Sequence, residues 1–221
     1  IFGAGEWLAV DTGATMVKRT EDHNTILVNG VGQEGEGERW FNGITAFGKK
    51  HRGRFVFKES NDVYDYVVGD ASDVYRKEAG LTGFLRNFLY IKPGLVVVAD
   101  ELAAKGAAEF AWFLHTPGEI TTAGSNRCLI RNGDAYLQVV VLEPLDVRMT
   151  VQPKEVAAEY PKNDWKRLNV LSLACAKPCD RTSFIVVMYV GDPERGVLEA
   201  SRAVSAGGNS KNVVNDCPTT V

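Results

Sequence analysis

Long hydrophobic runs are missing. The longest, Leu95-Val96-Val97-Val98-Ala99 and Phe184-Ile185-Val186-Val187-Met188, fall far short of the roughly 20 residues a spanning helix needs, so no membrane span is expected. The usual catalytic signatures are missing too. No G-x-S-x-G elbow, no H-E-x-x-H pair and no glycine-rich phosphate loop leading into a helix occurs, which removes those hydrolase, metalloprotease and nucleotide-binding classes. Gly32-Gln33-Glu34-Gly35-Glu36-Gly37 has the glycines but carries charges that repel phosphate. There is no excess of positive charge: a net charge of -3 argues against a broad electrostatic grip on nucleic acid. Cysteine is scarce. Four residues without zinc-type spacing make neither a disulfide scaffold nor a zinc motif. Cys175-Ala176-Lys177-Pro178-Cys179 is a single C-x3-C around a proline turn, read as incidental thiols, with one disulfide expected only in an oxidising compartment. The chain opens at Ile1-Phe2-Gly3 without a methionine or signal-type leader, which reads as part of something longer.

Short strands are abundant. Arg54-Phe55-Val56-Phe57-Lys58 and Val63-Tyr64-Asp65-Tyr66-Val67-Val68 alternate at strand period. Glu6–Asp11, Phe84–Ile91, Leu95–Asp100, Phe110–His115, Cys128–Arg131, Ala135–Leu142, Val147–Val151, Arg167–Ala174 and Phe184–Val190 are likewise strand-like. Turn signals separate them: Asn29-Gly30, Gly69-Asp70-Ala71-Ser72-Asp73, Asn132-Gly133-Asp134 and Gly191-Asp192-Pro193. Lys92-Pro93-Gly94 predicts a tight hairpin, with proline fixing φ and glycine accepting a positive one. Only Lys154–Tyr160 reads as a turn or two of helix. The loop from Gly32 to Glu38 is too polar for core, and Trp40-Phe41 after it should pin it to a sheet. More than ten short strands predict an all-β protein, a large two-sheet antiparallel sandwich with little helix. One domain is expected over 1–205, followed by a polar, flexible tail over 206–221.

Chemistry concentrates on few side chains. His23 is the first of only three histidines and directly precedes the run Thr25-Ile26-Leu27-Val28 that ends in Asn29-Gly30. Imidazole near neutral pH can take up a proton or, once charged, offset a carboxylate. Either Asp22 or Asp11 can orient the ring; a plain turn cap is the competing reading. His51 sits in a basic, loop-like context, and His115 ends an apolar strand as a half-buried, satisfied histidine. Tyr64, Tyr66 and Tyr75 can donate a phenolic proton, although strand tyrosines usually pack. Arg52, Arg54 and Lys58, with Lys49 and Lys50, form the densest basic patch. It reads as a charge-protected edge strand or, less readily, as a groove for an acidic carbohydrate.

Asp11-Thr12-Gly13 followed by His23-Asn24-Thr25-Ile26-Leu27-Val28-Asn29-Gly30-Val31-Gly32-Gln33 resembles the "D-x-G … H-N-T-V-x-V-D/N-G-x-G-Q" pattern of heparinase II/III-like polysaccharide lyases. Val68–Tyr75, Arg86–Pro93, Val96–Glu101 and Trp112–His115 follow in the order of that family's sandwich domain. The resemblance covers Gly5 to His115 well and the remainder loosely. It implies β-elimination on uronate-containing polysaccharides, heparin/heparan sulfate-like or alginate-like. A preceding α/α-toroid domain would supply the main acid and base, and nothing in this chain has the helical period of a toroid. The chain alone is therefore expected to be inactive, with the toroid and an acidic polysaccharide as its partners. The resemblance makes His23 the catalytic residue; Asn24 and Gln33, as amide donors, and Tyr64 and Arg39 are the expected substrate-binding residues. It also implies a structural zinc, for which His23 and either Asp62 or Asp70 are the available ligands, although the expected second histidine is absent from Thr82-Gly83-Phe84-Leu85-Arg86. The substrate class implies a bacterial periplasmic or secreted location. The alternative is a non-catalytic carbohydrate-binding or structural sandwich, and a cupin-like metalloenzyme is disfavoured by the lack of an H-x-H or glutamate ligand set.

Overall fold

Alternation at period two, repeated through most of the chain, builds antiparallel sheets whose inward faces meet in one core. The computed structural model describes residues 1–15, 17–37, 39, 52–155, 158–160 and 167–191. Contacts divide the chain into Ile1–Gly191 and Asp192–Val221; the second unit, with the tail expected from residue 206, lies outside the described residues, as do His51, Trp40 and Phe41.

The larger sheet has eight strands: β5 (Arg54–Ser60), β6 (Tyr64–Asp70), β7 (Leu81–Ile91), β8 (Leu95–Ala108), β10 (Glu119–Thr122), β11 (Arg127–Asn132), β12 (Ala135–Glu143) and β16 (Cys179–Val190). Their order is β10-β11-β12-β16-β8-β7-β6-β5, every pair antiparallel. The smaller sheet has four: β4 (Ile26–Val28), β9 (Phe110–Thr116), β13 (Arg148–Glu155) and β15 (Arg167–Ala174), in the order β13-β15-β9-β4. Two short pairs flank them, β1 (Phe2–Gly3) with β2 (Glu6–Trp7) and β3 (Ala14–Thr15) with β14 (Ala158–Tyr160).

Each sheet sends alternate residues inward. Val96, Val98 and Leu102 of β8, Leu137, Val139 and Val141 of β12, and Phe184, Val186 and Met188 of β16 are buried on the larger sheet. Phe110, Trp112 and Leu114 of β9 and Leu171 and Leu173 of β15 meet them from the smaller one. This is the expected sandwich, with apolar faces inside and polar ones outside. Truncating a buried side chain as large as Trp112 should cost about 3–5 kcal/mol. Strand β5 lies at the sheet edge with all its residues exposed, which matches the charge-protected edge reading of Arg54 and Lys58.

Four local expectations need correction. The described residues of Lys154–Tyr160 are strand, not helix: β13 runs on through Glu155, where Lys154 pairs with Leu168 and Glu155 with Arg167, and Ala158–Tyr160 form β14. Ladder bonds to β15 outweigh a weak local helix preference there. Glu6–Asp11 is a strand only over Glu6–Trp7. The next residues turn inward: Ile1 O accepts the Leu8 and Ala9 N–H groups, and Val10 forms a single bridge with His115. Gly94 does not use positive φ. It is needed for space, because a Cβ there would lie 3.1 Å from Val190 O. Finally, the Gly32–Glu38 loop is not wholly outside the fold. Gly32 and Gly35 are buried, and Glu36 accepts the backbone N–H groups of Gly32 (2.9 Å) and Thr20 (3.2 Å). That carboxylate is held by donors, so the like charges of the loop do not force it open.

The turn after β4 is as expected. Asn29 and Gly30 both have positive φ, 54° and 70°, and Val28 and Val31 exchange hydrogen bonds across them. This is the Asn-Gly hairpin geometry. It anchors the segment that begins at His23.

Candidate functional site

A 3₁₀ turn over Thr20–Asp22 leads into His23, whose N–H donates to Thr20 O. Thr12, almost fully buried, donates its hydroxyl to Asp22 O at 2.9 Å, which brings the Asp11 loop alongside. Asp11 Oδ1 then accepts the Gly13 N–H at 2.8 Å, and Asp11 Oδ2 lies 2.7 Å from His23 Nδ1. Gly13 holds φ at 84° to close that small turn. Both carboxylate oxygens are therefore committed, and the ring is fixed through Nδ1. Nε2 is the nitrogen left for a substrate, on a side chain about half exposed.

The electrostatics of the pair favour a charged ring. The hydrogen bond that His23 Nδ1–H donates to Asp11 raises the His23 pKa above its ordinary value; burial opposes this, and the charges of Asp11 and Asp22 add to the rise. Burial works against Asp11 ionising, but the His23 bond and the Gly13 N–H together hold its carboxyl below the usual range. Because both side chains are about half exposed, the pair contributes only about 0.5 kcal/mol to stability. Its value is positional.

Asn24 is locked on every side. Its Nδ2 donates to Val10 O (2.8 Å), its Oδ1 accepts the His115 N–H (2.8 Å), and its backbone carbonyl accepts Arg86 Nη1 (2.6 Å). Arg86 in turn grips the fully buried Asp100 through two bonds, Nε to Oδ1 at 2.7 Å and Nη2 to Oδ2 at 2.6 Å. A bidentate pair on β7 and β8 of the larger sheet thus fixes the backbone beside His23.

His115 lies behind this segment with no exposed surface. Its Nδ1 is 3.0 Å from Asn24 Oδ1 and its Nε2 is 3.1 Å from Glu21 O. Burial, then the nearby Lys154 charge, lowers its pKa to about 4, so at neutral pH the ring is uncharged and its single N–H donates to one of the two carbonyl oxygens. Lys154 forms ion pairs with Asp22 and, at 3.9 Å, with Glu21. His115 is the satisfied histidine the sequence suggested, although fully rather than half buried.

In front of His23 opens a cavity of about 120 Å³ whose walls include Lys18, Arg19, Gln33, Glu34 and Glu36. His23 and Gln33 are thus brought together. Gln33 is held through its N–H, which donates to Thr20 Oγ1 at 2.7 Å, and by a bridge to Tyr75. Tyr75 packs, as a strand-type tyrosine should: it is buried, and its hydroxyl donates to Ile26 O. Arg39 is exposed and bridges Val17, next to Lys18.

Tyr64 is placed elsewhere, at the start of β6, where its hydroxyl donates to Glu59. Asp70 sits at the other end of β6. The Ser72 backbone and hydroxyl, with Arg54, lower its pKa to about 2. Asp70 is thus committed to Arg54 and Ser72 while His23 is committed to Asp11, and among the described residues no group of three or more His, Cys, Asp or Glu forms a metal cage. The zinc site implied for His23 and Asp70 does not fit this arrangement. The composition-based reading also overlooked Lys18 and Arg19. Their signal was a basic dipeptide just before the turn that carries His23.

A half-exposed, carboxylate-paired imidazole facing a small cavity walled by Lys18, Arg19, Gln33, Glu34 and Glu36, on a two-sheet antiparallel sandwich, defines a polar site of mixed charge on an all-β scaffold. The Heparinase II/III-like, C-terminal family profile matches residues 3–189, and the chain belongs to that family. Solved structures share the fold. A heparinase III with methylated lysines aligns at 18% identity and a TM-score of 0.65, over 86% of this chain and 29% of its own. A heparan sulfate lyase from Pedobacter heparinus aligns at 14% identity and a TM-score of 0.64, over 87% and 30%. The chain spans less than a third of the length of either structure. No curated protein sequence matches it. Among the described residues, no helix is long and apolar enough to cross a membrane.

Proposed function

We propose that this chain is the sandwich wall of a polysaccharide lyase cleft that cleaves uronate-containing polymers by β-elimination. The observation that carries the reading is the Asp11–His23 pair, whose Nε2 is free beside Lys18, Arg19 and Gln33. In such a reaction a base removes the C5 proton, α to the uronate carboxylate, and the C4–O bond breaks to leave an unsaturated sugar. Negative charge grows on the carboxylate as the proton leaves, so a cation held against it lowers the barrier. A ring whose protonated form is favoured by Asp11 suits that role better than the role of base.

In this reading Gln33 supplies an amide donor and Arg39 a peripheral cation. Asn24, committed at both ends of its amide, positions His23 instead of meeting the sugar. Tyr64 would touch only a remote part of a long chain. The principal acid and base belong to a preceding α/α-toroid domain, and the enzyme works in the periplasm or outside the cell, where such polymers occur. The test compares this chain with the longer toroid-bearing protein on heparan sulfate and on alginate, following the ultraviolet absorbance of the unsaturated uronate. The longer protein should turn over one of them and the chain alone neither. Turnover by the chain alone would show that the acid and base lie within it.

A further inference from the structure

The turn that carries the chain from one sheet to the other bears two cysteines. Cys175 immediately follows β15 of the smaller sheet, and Cys179 opens β16 of the larger one, opposite Ala108. Three residues, Ala176-Lys177-Pro178, separate them. Both are thiols, and neither is fully buried. Their side chains are neighbours: Cys175 Sγ donates to Thr182 Oγ1 at 3.4 Å, on the strand that Cys179 opens, and Cys175 is close enough to Cys179 to raise its pKa. Two cysteines separated by a three-residue turn, with neighbouring side chains, are candidates for a disulfide, which needs their Cα atoms within about 7 Å.

We propose that Cys175 and Cys179 form a redox pair that closes into a disulfide and staples the smaller sheet to the larger, with a small-molecule disulfide such as oxidised glutathione as oxidant. The exchange is balanced in two steps. One cysteine thiolate attacks a glutathione sulfur, forming a mixed disulfide and releasing one glutathione thiolate. The second cysteine gives up its proton and attacks the protein sulfur of that mixed disulfide, releasing the second glutathione. Two protein thiols are oxidised, one glutathione disulfide is reduced to two thiols, and the two protons pass to the glutathione thiolates. Burial, and then the adjacent Cys175, raise the Cys179 pKa, so closure quickens as pH rises. Cys128 provides an internal control, being buried, with its pKa pushed up to about 12.

The experiment equilibrates the full chain with excess oxidised glutathione, alkylates the remaining thiols, and digests with trypsin. The Lys177-Pro178 bond resists trypsin, so Leu168–Arg181 is released as one peptide holding both cysteines. The expected peptide carries no alkyl group and no glutathione and is two hydrogens lighter than its reduced form, while Cys128 is alkylated once the chain is unfolded. A peptide with two alkyl groups, two glutathiones, or a bond to Cys217 overturns the proposal. A second measurement asks about contact alone. The reduced chain should bind phenylarsine oxide, which bridges paired thiols, and Cys175→Ser should lose that binding. Failure of the reduced chain to bind the arsenical also overturns it.

Discussion

Lowering the pH from about 7 to about 4 should weaken the fold chiefly through His115, against a smaller opposite contribution from the half-exposed His23, whose pKa is raised. The His115 pKa falls from 6.5 to about 4 because the residue has no exposed surface and lies near Lys154. A base with a depressed folded pKa binds its proton more readily in the unfolded chain. Its contribution is therefore complete above about pH 6.5 and lost progressively as pH falls towards about 4. At 1.36 kcal/mol per pH unit separating the two values, the loss is roughly 3 kcal/mol. Asp70, lowered to about 2 by Ser72 and Arg54, acts in a separate window below about pH 4. Urea unfolding of the chain at several pH values should show the midpoint falling through the upper window. His115→Gln, which keeps an amide near Asn24 and Glu21 without a titrating ring, should flatten that fall even if its stability at neutral pH is lower. A flat wild-type profile between about pH 7 and about pH 4 would refute the assignment of a buried neutral ring, and so would an unchanged slope in His115→Gln.

Three further outcomes follow from the geometry. Asp11→Asn removes the charge that favours protonated His23, so the ring should titrate at lower pH, as read from its nitrogen chemical shifts; an unchanged titration would remove Asp11 from the account. Arg86→Ala leaves Asp100 buried without its partner and should cost about 3–5 kcal/mol in urea unfolding. The double variant Arg86→Met with Asp100→Leu should recover much of that, and a double variant as unstable as the single would argue against an unpaired charge as the cause. Gly32→Ala drives a methyl into Thr20 and Glu36 and should cost about 1–3 kcal/mol, whereas the same change at Gly106, with open space around its Cβ, should have little effect on the urea midpoint.

Local patterns carried most of the fold. Strands such as Arg167–Ala174 and Phe110–Thr116 announce themselves because one face is buried and the pleat repeats every two residues. The Asn29-Gly30 hairpin was legible because few dipeptides accept two positive φ values in succession. Lys154 was misread because its partners, β15 and Asp22, are distant in sequence. The site was legible at His23 but not in its surroundings. Choosing Asp11 over Asp22 as the ring's partner depends on the Thr12–Asp22 hydrogen bond, and the commitment of Asn24 depends on Val10 and His115. Contacts of that kind join segments through tertiary packing, and no spacing rule reports them.

The central claim is that His23 takes part in bond cleavage, and kcat in the toroid-bearing protein proposed above tests it most directly. His23→Ala should lower kcat by about 10²–10⁴-fold, with KM moving far less and the folded sandwich intact by urea unfolding. A variant that keeps its wild-type kcat while binding substrate more weakly would contradict the account, and would leave a carbohydrate-binding wall with no part in the chemistry.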